Sequence, residues 1–238
     1  MQRLDKILSD AGCGSRKELR AAIRAGRVTV NGETVRDEAK KFDETSAAIV
    51  LDGAPVELLR RVLLMLHKPA GYVTSTDDPV SKTVMELIPA RYRAFGVAPV
   101  GRLDKQTEGL LFLTNDGELA HRIISPRHGV WKTYYCEHDG AATQEDIAAF
   151  AAGMTLADGT ACLPARLVPK GEGKSLVFVQ EGKYHQVRRM MAARAMPVSY
   201  LKRLAEGGLS LGTLEKGAVR ELDIASAEAA LDKLPELF

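Results

Sequence analysis

The sequence has little cysteine, and the cysteines that it has are far apart. Cys13, Cys136 and Cys162 form no C-x-x-C pair. This spacing argues against a disulfide framework or a zinc ribbon and suits a reducing cytosol, so we expect a cytoplasmic protein. The amino-terminal segment MQRLDKILSD lacks the apolar core of a secretory signal. No apolar run approaches the roughly 18 residues of a membrane-spanning helix, so we expect no membrane association.

Sequence patterns that hold metals and nucleotides are missing as well. The five histidines form no H-x-x-x-H or H-E-x-x-H pattern, which argues against a metal site. No G-x-x-x-x-G-K-[ST] segment marks a loop that binds nucleotide phosphates. The formal charge of +2 is too small to identify a partner by itself.

The composition is that of an ordinary globular protein with a substantial core. Of its 238 residues, 45% are apolar and 27% are charged, which fits one large domain or two small ones. Apolar strands are predicted in VLLMLHKP, GLLFLT, KTYYCEH and SLVFVQ, and helices in TQEDIAAFAAG and HQVRRMMAARA. Because strands and helices do not alternate strictly, we expect an α+β fold with a mixed, largely antiparallel central sheet flanked by helices.

A separate unit is predicted at the amino terminus. Helical spacing from Leu4 ends at Gly12, and a capping box from Ser15 to Glu18 begins a second helix. The segment RVTVNGETV then predicts two strands around an Asn-Gly turn. The breakers in LDGAPVELLRR predict a linker, so we assign residues 1–59 to a first domain with its linker and 60–238 to a second.

The first unit has a basic helix face. Arg16, Arg20 and Arg24 recur every four residues and therefore share one side of a helix. Such a face is either simply solvated or suited to phosphate, which guanidinium groups bind bidentately. Without an aromatic platform in this unit, contact with RNA would follow backbone and shape rather than base identity. The candidate RNA-binding residues are Arg3, Lys6, Arg16, Lys17, Arg20, Arg24 and Arg27.

Residues 2–35 resemble the S4 (αL-type) RNA-binding domain. The Leu-Asp-Lys start, the Ser-Arg helix opening and the Gly-Arg-Val-x-Val-Asn-Gly hairpin occur in the order found in that domain. The resemblance implies binding to structured RNA and leaves open whether the bound RNA undergoes any reaction.

The stretch GRLDKQTEGLLFLTNDG places Asp104 in a loop before an apolar strand. An isolated aspartate in that position often stabilises a turn. A glycosidase would instead need two carboxylates facing one bond, and Asp104 and Glu108 are both candidates by position.

This stretch resembles the catalytic motif of RsuA-like RNA pseudouridine synthases, in which Gly-Arg-Leu-Asp precedes Thr-x-Gly-Leu. Three further segments match in the order of that family: LHKPAGYVTSTDDP, SPRHGVWKTYY and EGKYHQVRRM. The last two of these segments map Tyr134 and Arg188 onto family positions, and Arg188 stands where many members have lysine.

The segments SPRHGVWKTYY and STDDPVSKTVMELIP are most similar to the small-subunit branch. Glu206 departs from the family because an aliphatic residue is expected there, which puts local packing in question.

The resemblance implies particular roles for these residues. Asp104 would be the essential carboxylate, Tyr134 would stack on the target uracil, and an ion pair with Arg188 would keep Asp104 ionised. Arg189 is the rival of Arg188, because adjacent helical residues point about 100° apart. Tyr135 is expected to be an ordinary strand residue and His185 a helix-start or packing residue. The residues assigned to substrate binding are Arg102, Lys68, Gly101 and Thr107.

The implied reaction isomerises uridine in rRNA, with uridine 516 of 16S rRNA as the family target. It needs no cofactor and no metal, and its partner would be 16S rRNA or a small-subunit assembly intermediate. Arg102 would hold the extruded nucleotide unless it merely pairs with Glu108. The alternatives are a synthase for large-subunit rRNA, a non-catalytic S4 protein that binds or assembles rRNA, and a hydrolase that releases uracil. We expect a monomer.

Overall fold

A computed structural model describes residues 1–43, 47–56 and 61–234 of the chain. The chain divides into two compact units, Met1–Arg60 and Arg61–Phe238. The predicted boundary between residues 59 and 60 lies outside the described residues. Within the described ranges, no helix is both long and apolar enough to cross a membrane.

The first unit combines two helices with short strands. The helices are α1 (Leu4–Asp10) and α2 (Arg16–Arg24). The strands are β1 (Gln2–Arg3), β2 (Val28–Val30), β3 (Glu33–Thr34), β4 (Lys41–Phe42), β5 (Ile49–Leu51) and β6 (Ala54–Pro55). The predicted capping box is confirmed, because the Ser15 hydroxyl accepts the Glu18 N–H while the Glu18 carboxylate accepts the Ser15 N–H.

The core of the first unit lies between these helices and strands. Strands β3, β2, β5 and β6 form an antiparallel sheet in that order, and β1 pairs separately with β4. The predicted Asn-Gly turn joins β2 to β3, with φ of 52° at Asn31 and 85° at Gly32. The buried apolar side chains come from both helices and from the sheet: Leu4, Ile7, Leu8, Leu19, Ile23, Val28, Val30, Val35 and Ile49.

The second unit is built around one large sheet. Its strands are β7 (Leu63–Lys68), β8 (Ala98–Pro99), β9 (Glu108–Thr114), β10 (Lys132–His138), β11 (Met154–Thr155), β12 (Ala161–Cys162), β13 (Arg166–Pro169), β14 (Lys174–Val179), β15 (Val198–Glu206), β16 (Leu209–Ser210) and β17 (Val219–Leu222). Its α-helices are α3 (Ala90–Arg93), α4 (Gly117–Ile124), α5 (Gln144–Ala152), α6 (Gln186–Ala192) and α7 (Ile224–Leu231).

The order of strands in this sheet is β13-β14-β10-β15-β9-β7-β17, with β16 added to β15 and β8 to β9. Neighbouring strands are antiparallel except for β9 and β15, which run parallel at the centre. The sheet is therefore mixed and largely antiparallel, and the expected α+β fold is confirmed. Strands β11 and β12 form a separate two-stranded sheet.

Helices cover both faces of the large sheet, which explains the long apolar runs of β7 and β9. Strand residues alternate between faces: Leu64 and Leu66 pack on the side of α5 and α6, whereas Leu63 and Met65 pack on the side of α4 and α7. A strand buried on both faces needs apolar residues at every position.

The parallel contact at the sheet centre depends on a glycine. Gly109 has φ of 110°, and a Cβ atom placed there would lie 2.1 Å from the backbone oxygen of Arg203. Only glycine allows β9 and β15 to approach this closely. The Thr-x-Gly of the sequence motif therefore fixes the strand that directly follows the Asp104 loop.

Candidate active site

Asp104 lies in the loop between β8 and β9, on the face of the sheet that carries α6. Its main-chain oxygen accepts the Thr107 N–H at 3.0 Å, which closes a turn. Its carboxylate is about one-third exposed, and Thr107 Oγ1 lies 3.5 Å from Oδ2. The backbone rather than the carboxylate makes the turn, so the side chain of Asp104 is free for another task.

Lys68 stabilises this loop through hydrogen bonds to its main-chain oxygens. Its side chain is fully buried, and Nζ donates to the main-chain oxygens of Thr107 at 2.8 Å, Asp104 at 3.1 Å and Lys105 at 3.3 Å. Burial lowers the pKa of Lys68 to about 8, although the Asp104 carboxylate acts in the opposite direction. Lys68, assigned to substrate binding from the sequence with a structural role as the alternative, has its ammonium group buried against the protein's own carbonyls, which supports the structural role.

Gly101 and Thr107 also shape the loop. Gly101 has φ of 71°, a conformation that side chains disfavour, and Thr107 is buried with 1% of its surface exposed. Thr74 fixes the intervening Leu103, because its hydroxyl accepts the Leu103 N–H and donates to the Leu103 carbonyl. Gly101 therefore supports the turn, and Thr107, assigned to substrate binding from the sequence, contacts the Asp104 carboxylate instead.

A small cavity joins the loop to β10. Its volume is about 60 Å³, and Arg102, Asp104 and Tyr134 are among the residues that line it. Burial raises the pKa of the Tyr134 hydroxyl, with the Arg203 guanidinium acting in the opposite direction. Tyr135 points to the other face of the sheet, where its hydroxyl donates to Glu137 at 2.9 Å, as expected for neighbours on a strand.

A larger cavity of about 580 Å³ opens on the other side of Asp104. Asp104 and His185 line both cavities, and Arg188 lines the larger one. Arg189 points elsewhere: its Nη2 pairs with Asp158, and its Nη1 donates to the Tyr184 carbonyl at 3.2 Å. Of the two adjacent arginines, Arg188 is therefore the one that shares a cavity with Asp104.

The expected ion pair between Arg188 and Asp104 is not formed among the described residues. Arg188 Nη1 donates to the Val198 carbonyl at 2.9 Å instead.

The group closest to the Asp104 carboxylate is His185, whose Nε2 lies 3.4 Å from Oδ1. His185 is a helix-start residue, as expected from the sequence, since it is the N-cap of α6. The sequence did not predict its contact with Asp104, which depends on a backbone φ of 48° at this position. No sequence signal indicates such a conformation, which is uncommon for residues other than glycine.

Glu108 is held as a carboxylate by two donors. Lys216 Nζ lies 2.9 Å from Oε1, and the Tyr200 hydroxyl donates to Oε2 at 2.9 Å. Burial acts to raise the pKa of Glu108, but these donors hold it below its ordinary value. Glu108 therefore pairs with Lys216 and not with Arg102, which is exposed beside the small cavity.

Among the described residues, no group of three or more His, Cys, Asp or Glu side chains is placed to hold a metal.

A buried ion pair lies beside Tyr134. Glu206 is 1% exposed and Arg203 is 2% exposed, and their Oε1 and Nη1 atoms are 3.0 Å apart. Arg203 Nε also donates to the Leu110 carbonyl at 2.7 Å. Lys132, opposite Glu206 in the sheet, adds a second buried cation. Glu206, where the family resemblance leads us to expect an aliphatic residue, thus provides the counter-charge to Arg203 inside the protein. Its burial rules out a direct contact with RNA.

The arginines of the first unit are less free than their spacing predicts. Asp5 is fully buried, and Arg3, Arg16 and Arg20 all bind its carboxylate at 2.8–3.0 Å. Burial acts to raise the pKa of Asp5, but the three guanidinium groups together lower it well below its ordinary value. One carboxylate balances three cations, so this cluster keeps a positive charge on a helix surface where each arginine is more than 40% exposed.

The other basic candidates differ in their partners. Arg24 pairs with Glu38, and Lys6 pairs with Asp10 at 3.2 Å. Arg27 pairs with Asp52, whereas Lys17 is exposed. The acids that bind Arg24 and Arg27 come from elsewhere in the unit, which helical spacing within α2 cannot reveal.

Two family models match the chain. The RNA pseudouridylate synthase model matches residues 62–193, and the S4 domain model matches residues 2–46. The first match spans more than half of the chain and contains Asp104, Tyr134 and Arg188.

Similar proteins and structures agree with these matches. The chain is 40% identical to the uncharacterized RNA pseudouridine synthase YtzG of Bacillus subtilis, over 92% of this chain and 94% of that protein. It is 37% identical to the ribosomal large subunit pseudouridine synthase B of Vibrio cholerae, over 94% and 72% of the two chains. The crystal structure of a pseudouridylate synthase covers 96% of the chain, and 99% of its own, with a TM-score of 0.67 and 32% identity. The chain therefore belongs to the RNA pseudouridylate synthase family and carries an S4 domain.

Proposed function

We propose that this RNA pseudouridine synthase isomerises a uridine of small-subunit rRNA, with Asp104 as the essential carboxylate. The observation that carries the proposal is the placement of Asp104. Its carboxylate is half-buried, is not needed for its own turn, and lies at the junction of two cavities that also contain Tyr134 and Arg188.

The reaction breaks the bond from C1′ to N1 of uracil and forms a bond from C1′ to C5. The proton on C5 leaves, and N1 gains a proton, so atoms and charge balance without an added reactant. Asp104 acts at C1′, either as a nucleophile or by stabilising the positive charge that develops when the base departs.

The neighbouring side chains complete the site. Tyr134 packs against the uracil ring, and burial raises the pKa of its hydroxyl. Arg102, exposed beside the small cavity, holds the extruded nucleotide through its phosphate. Arg188 pairs with Asp104 once RNA is bound, which requires the contact between His185 and Asp104 to give way.

The geometry favours isomerisation over hydrolysis. A hydrolase needs a second carboxylate that can activate water, but Glu108 already accepts bonds from Lys216 and Tyr200. A protein that only binds rRNA has no use for a partly exposed aspartate in a loop whose main-chain oxygens bind a buried lysine. Both alternatives therefore explain less of the structure.

The choice between ribosomal subunits rests on sequence. The segments SPRHGVWKTYY and STDDPVSKTVMELIP support a small-subunit target, with uridine 516 of 16S rRNA as the first candidate. Large-subunit rRNA is the second candidate, because similar proteins from Vibrio cholerae and Bacillus subtilis are named ribosomal large subunit pseudouridine synthase B. Action as a monomer and cytoplasmic localisation stay predictions from the sequence.

The test uses small-subunit and large-subunit rRNA that carry tritium at uracil C5. Wild-type protein is expected to release tritium to water from one of them and to leave a single new stop in carbodiimide-based primer extension. Asp104→Asn, which keeps the size of the side chain, is expected to lose at least 100-fold in rate. The position of the stop names the uridine and the subunit.

Two results would contradict the proposal. Release of free uracil would show a hydrolase. Tight binding of both rRNAs without tritium release, also when assembled subunits are supplied, would show a protein that only binds RNA.

A further inference from the structure

Tyr184 is exposed to an extent that packing does not explain. It has 69% of its surface accessible and is the one aromatic residue among the exposed large apolar side chains of the described chain. Aromatic side chains contribute large buried areas to most cores and interfaces, so an exposed ring beside a catalytic cleft indicates a contact with a ligand.

The ring of Tyr184 has one covered face and one open face. It stacks on the imidazole of His185 with the ring centroids 3.9 Å apart and the planes 16° from parallel. The same imidazole reaches Asp104, with Nε2 3.4 Å from Oδ1. Only the imidazole of His185 therefore lies between the ring of Tyr184 and the carboxylate of Asp104.

The turn that carries Tyr184 is held in place. Gln186, itself buried, accepts the Lys183 N–H at 3.0 Å and donates to Glu181 at 2.8 Å. Arg189 donates to the Tyr184 carbonyl at 3.2 Å, and its guanidinium is fixed by Asp158. The ring thus extends from a rigid turn, so little conformational freedom is lost when it binds.

We propose that the open face of Tyr184 stacks on the base of a nucleotide adjoining the target uridine in the bound RNA. This inference rests on the proposed function, since it takes the RNA at Asp104 as given. Extrusion of the target uridine removes a stacking neighbour from the base next to it. An aromatic ring at this distance from Asp104 replaces that neighbour.

The chemistry of the site supports a base rather than another ligand. Stacking accepts any base, because every base has a π face. The small cavity beside the stack contains the exposed guanidinium of Arg102, which suits the phosphates on either side of the extruded nucleotide. The first unit has no comparable exposed aromatic ring among its described residues, so Tyr184 supplies a base contact that the S4 domain lacks.

The first experiment measures RNA binding separately from turnover. In an Asp104→Asn background, the Kd for each rRNA transcript is compared for Tyr184→Ala, Tyr184→Phe and Leu163→Ala. Leu163 is a matched control, because it is an exposed apolar residue (46%) whose backbone N–H bonds to Glu181 next to the same turn. Tyr184→Ala is expected to raise the Kd about 5- to 150-fold, whereas the other two variants stay within about twofold.

A second readout reports the stack itself. In Tyr184→Trp, also with Asp104→Asn, added RNA is expected to quench tryptophan emission more strongly than in the parent, which contains only Trp131. With Asp104 restored, Tyr184→Ala is expected to raise KM with kcat within about twofold.

The results separate the two proposals. Equal Kd values for Tyr184→Ala and its parent, or an equal rise for Leu163→Ala, would overturn the stacking contact whether or not the protein releases tritium. Absence of tritium release from wild type would overturn the proposed function and leave the Kd comparison as a test of the stack alone.

Discussion

His185 Nε2 lies 3.4 Å from Asp104 Oδ1, so the carboxylate that we propose as essential already has a side-chain partner within the protein. Arg188, the partner expected from the sequence, lines the same cavity but donates to the Val198 carbonyl. His185 and Arg188 thus compete for one carboxylate, and in the structure His185 is the one in contact with it.

This competition predicts different effects for two neighbouring arginines. Arg188→Met is expected to lower kcat about 100-fold, because Asp104 would lose the cation that stabilises it when the base departs. Arg189→Met is the matched control and is expected to change kcat less than about threefold, since its guanidinium pairs with Asp158. Both are measured by tritium release at saturating RNA. Equal kcat values for the two variants would refute the role of Arg188.

Lys68→Met is expected to affect stability and turnover but not RNA affinity. The change leaves the buried carbonyls of Asp104 and Thr107 without their donor, which costs about 1–3 kcal/mol of unfolding free energy. The loop then shifts and kcat falls, while the Kd for rRNA stays within about twofold. A raised Kd in a protein of unchanged stability would instead show a direct contact between Lys68 and RNA.

Glu206→Leu is expected to destabilise the second unit by about 3–5 kcal/mol, because it leaves Arg203 buried without a counter-charge. The double variant Glu206→Leu with Arg203→Met is expected to regain most of that loss. Urea unfolding is followed through Trp131, the single tryptophan, whose carbonyl accepts the Gly207 N–H beside this pair. A double variant as unstable as Glu206→Leu would show that the charge is not the cause.

The buried carboxylate of Asp5 predicts a pH dependence in the first unit. Its pKa is lowered by folding, so its contribution to stability is complete above the pKa of the unfolded chain, near 4, and is lost as the pH falls below that value. Asp5→Asn is expected to be less stable than wild type at pH 7, with a difference that shrinks below about pH 4. Thermal unfolding followed by circular dichroism measures it. A difference that does not vary with pH would contradict the ion cluster.

Local patterns were sufficient to predict helices α1, α2, α5 and α6 and several strands, although not β15, the longest strand of the sheet. Helix α2 begins at its capping box, and α5 lies in the predicted segment TQEDIAAFAAG with Thr143 as its N-cap, because caps and periodicity are set by residues a few positions apart. The catalytic candidates Asp104 and Tyr134 were proposed from two separate motifs, each continuous in sequence. The structure brings these two residues, which are 30 positions apart, to one cavity.

The features that could not be predicted depend on contacts between distant residues. Asp5 pairs with arginines that spacing alone presents as a free basic face. Lys68 looks like a surface cation at a strand end, but it is buried by a loop 36 residues further along. The left-handed backbone of His185, which brings its ring to Asp104, has no signature in the sequence.

The close approach of Gly109 to Arg203 has a consequence for how this protein can change. One strand follows the Asp104 loop, and the other carries the buried charge beside Tyr134. Their backbones touch where no side chain fits, so the two halves of the site keep a fixed spacing. Exposed segments such as the Tyr184 turn can exchange residues without altering this spacing, while position 109 stays closed to every residue except glycine. Specificity and chemistry can therefore evolve separately on this scaffold.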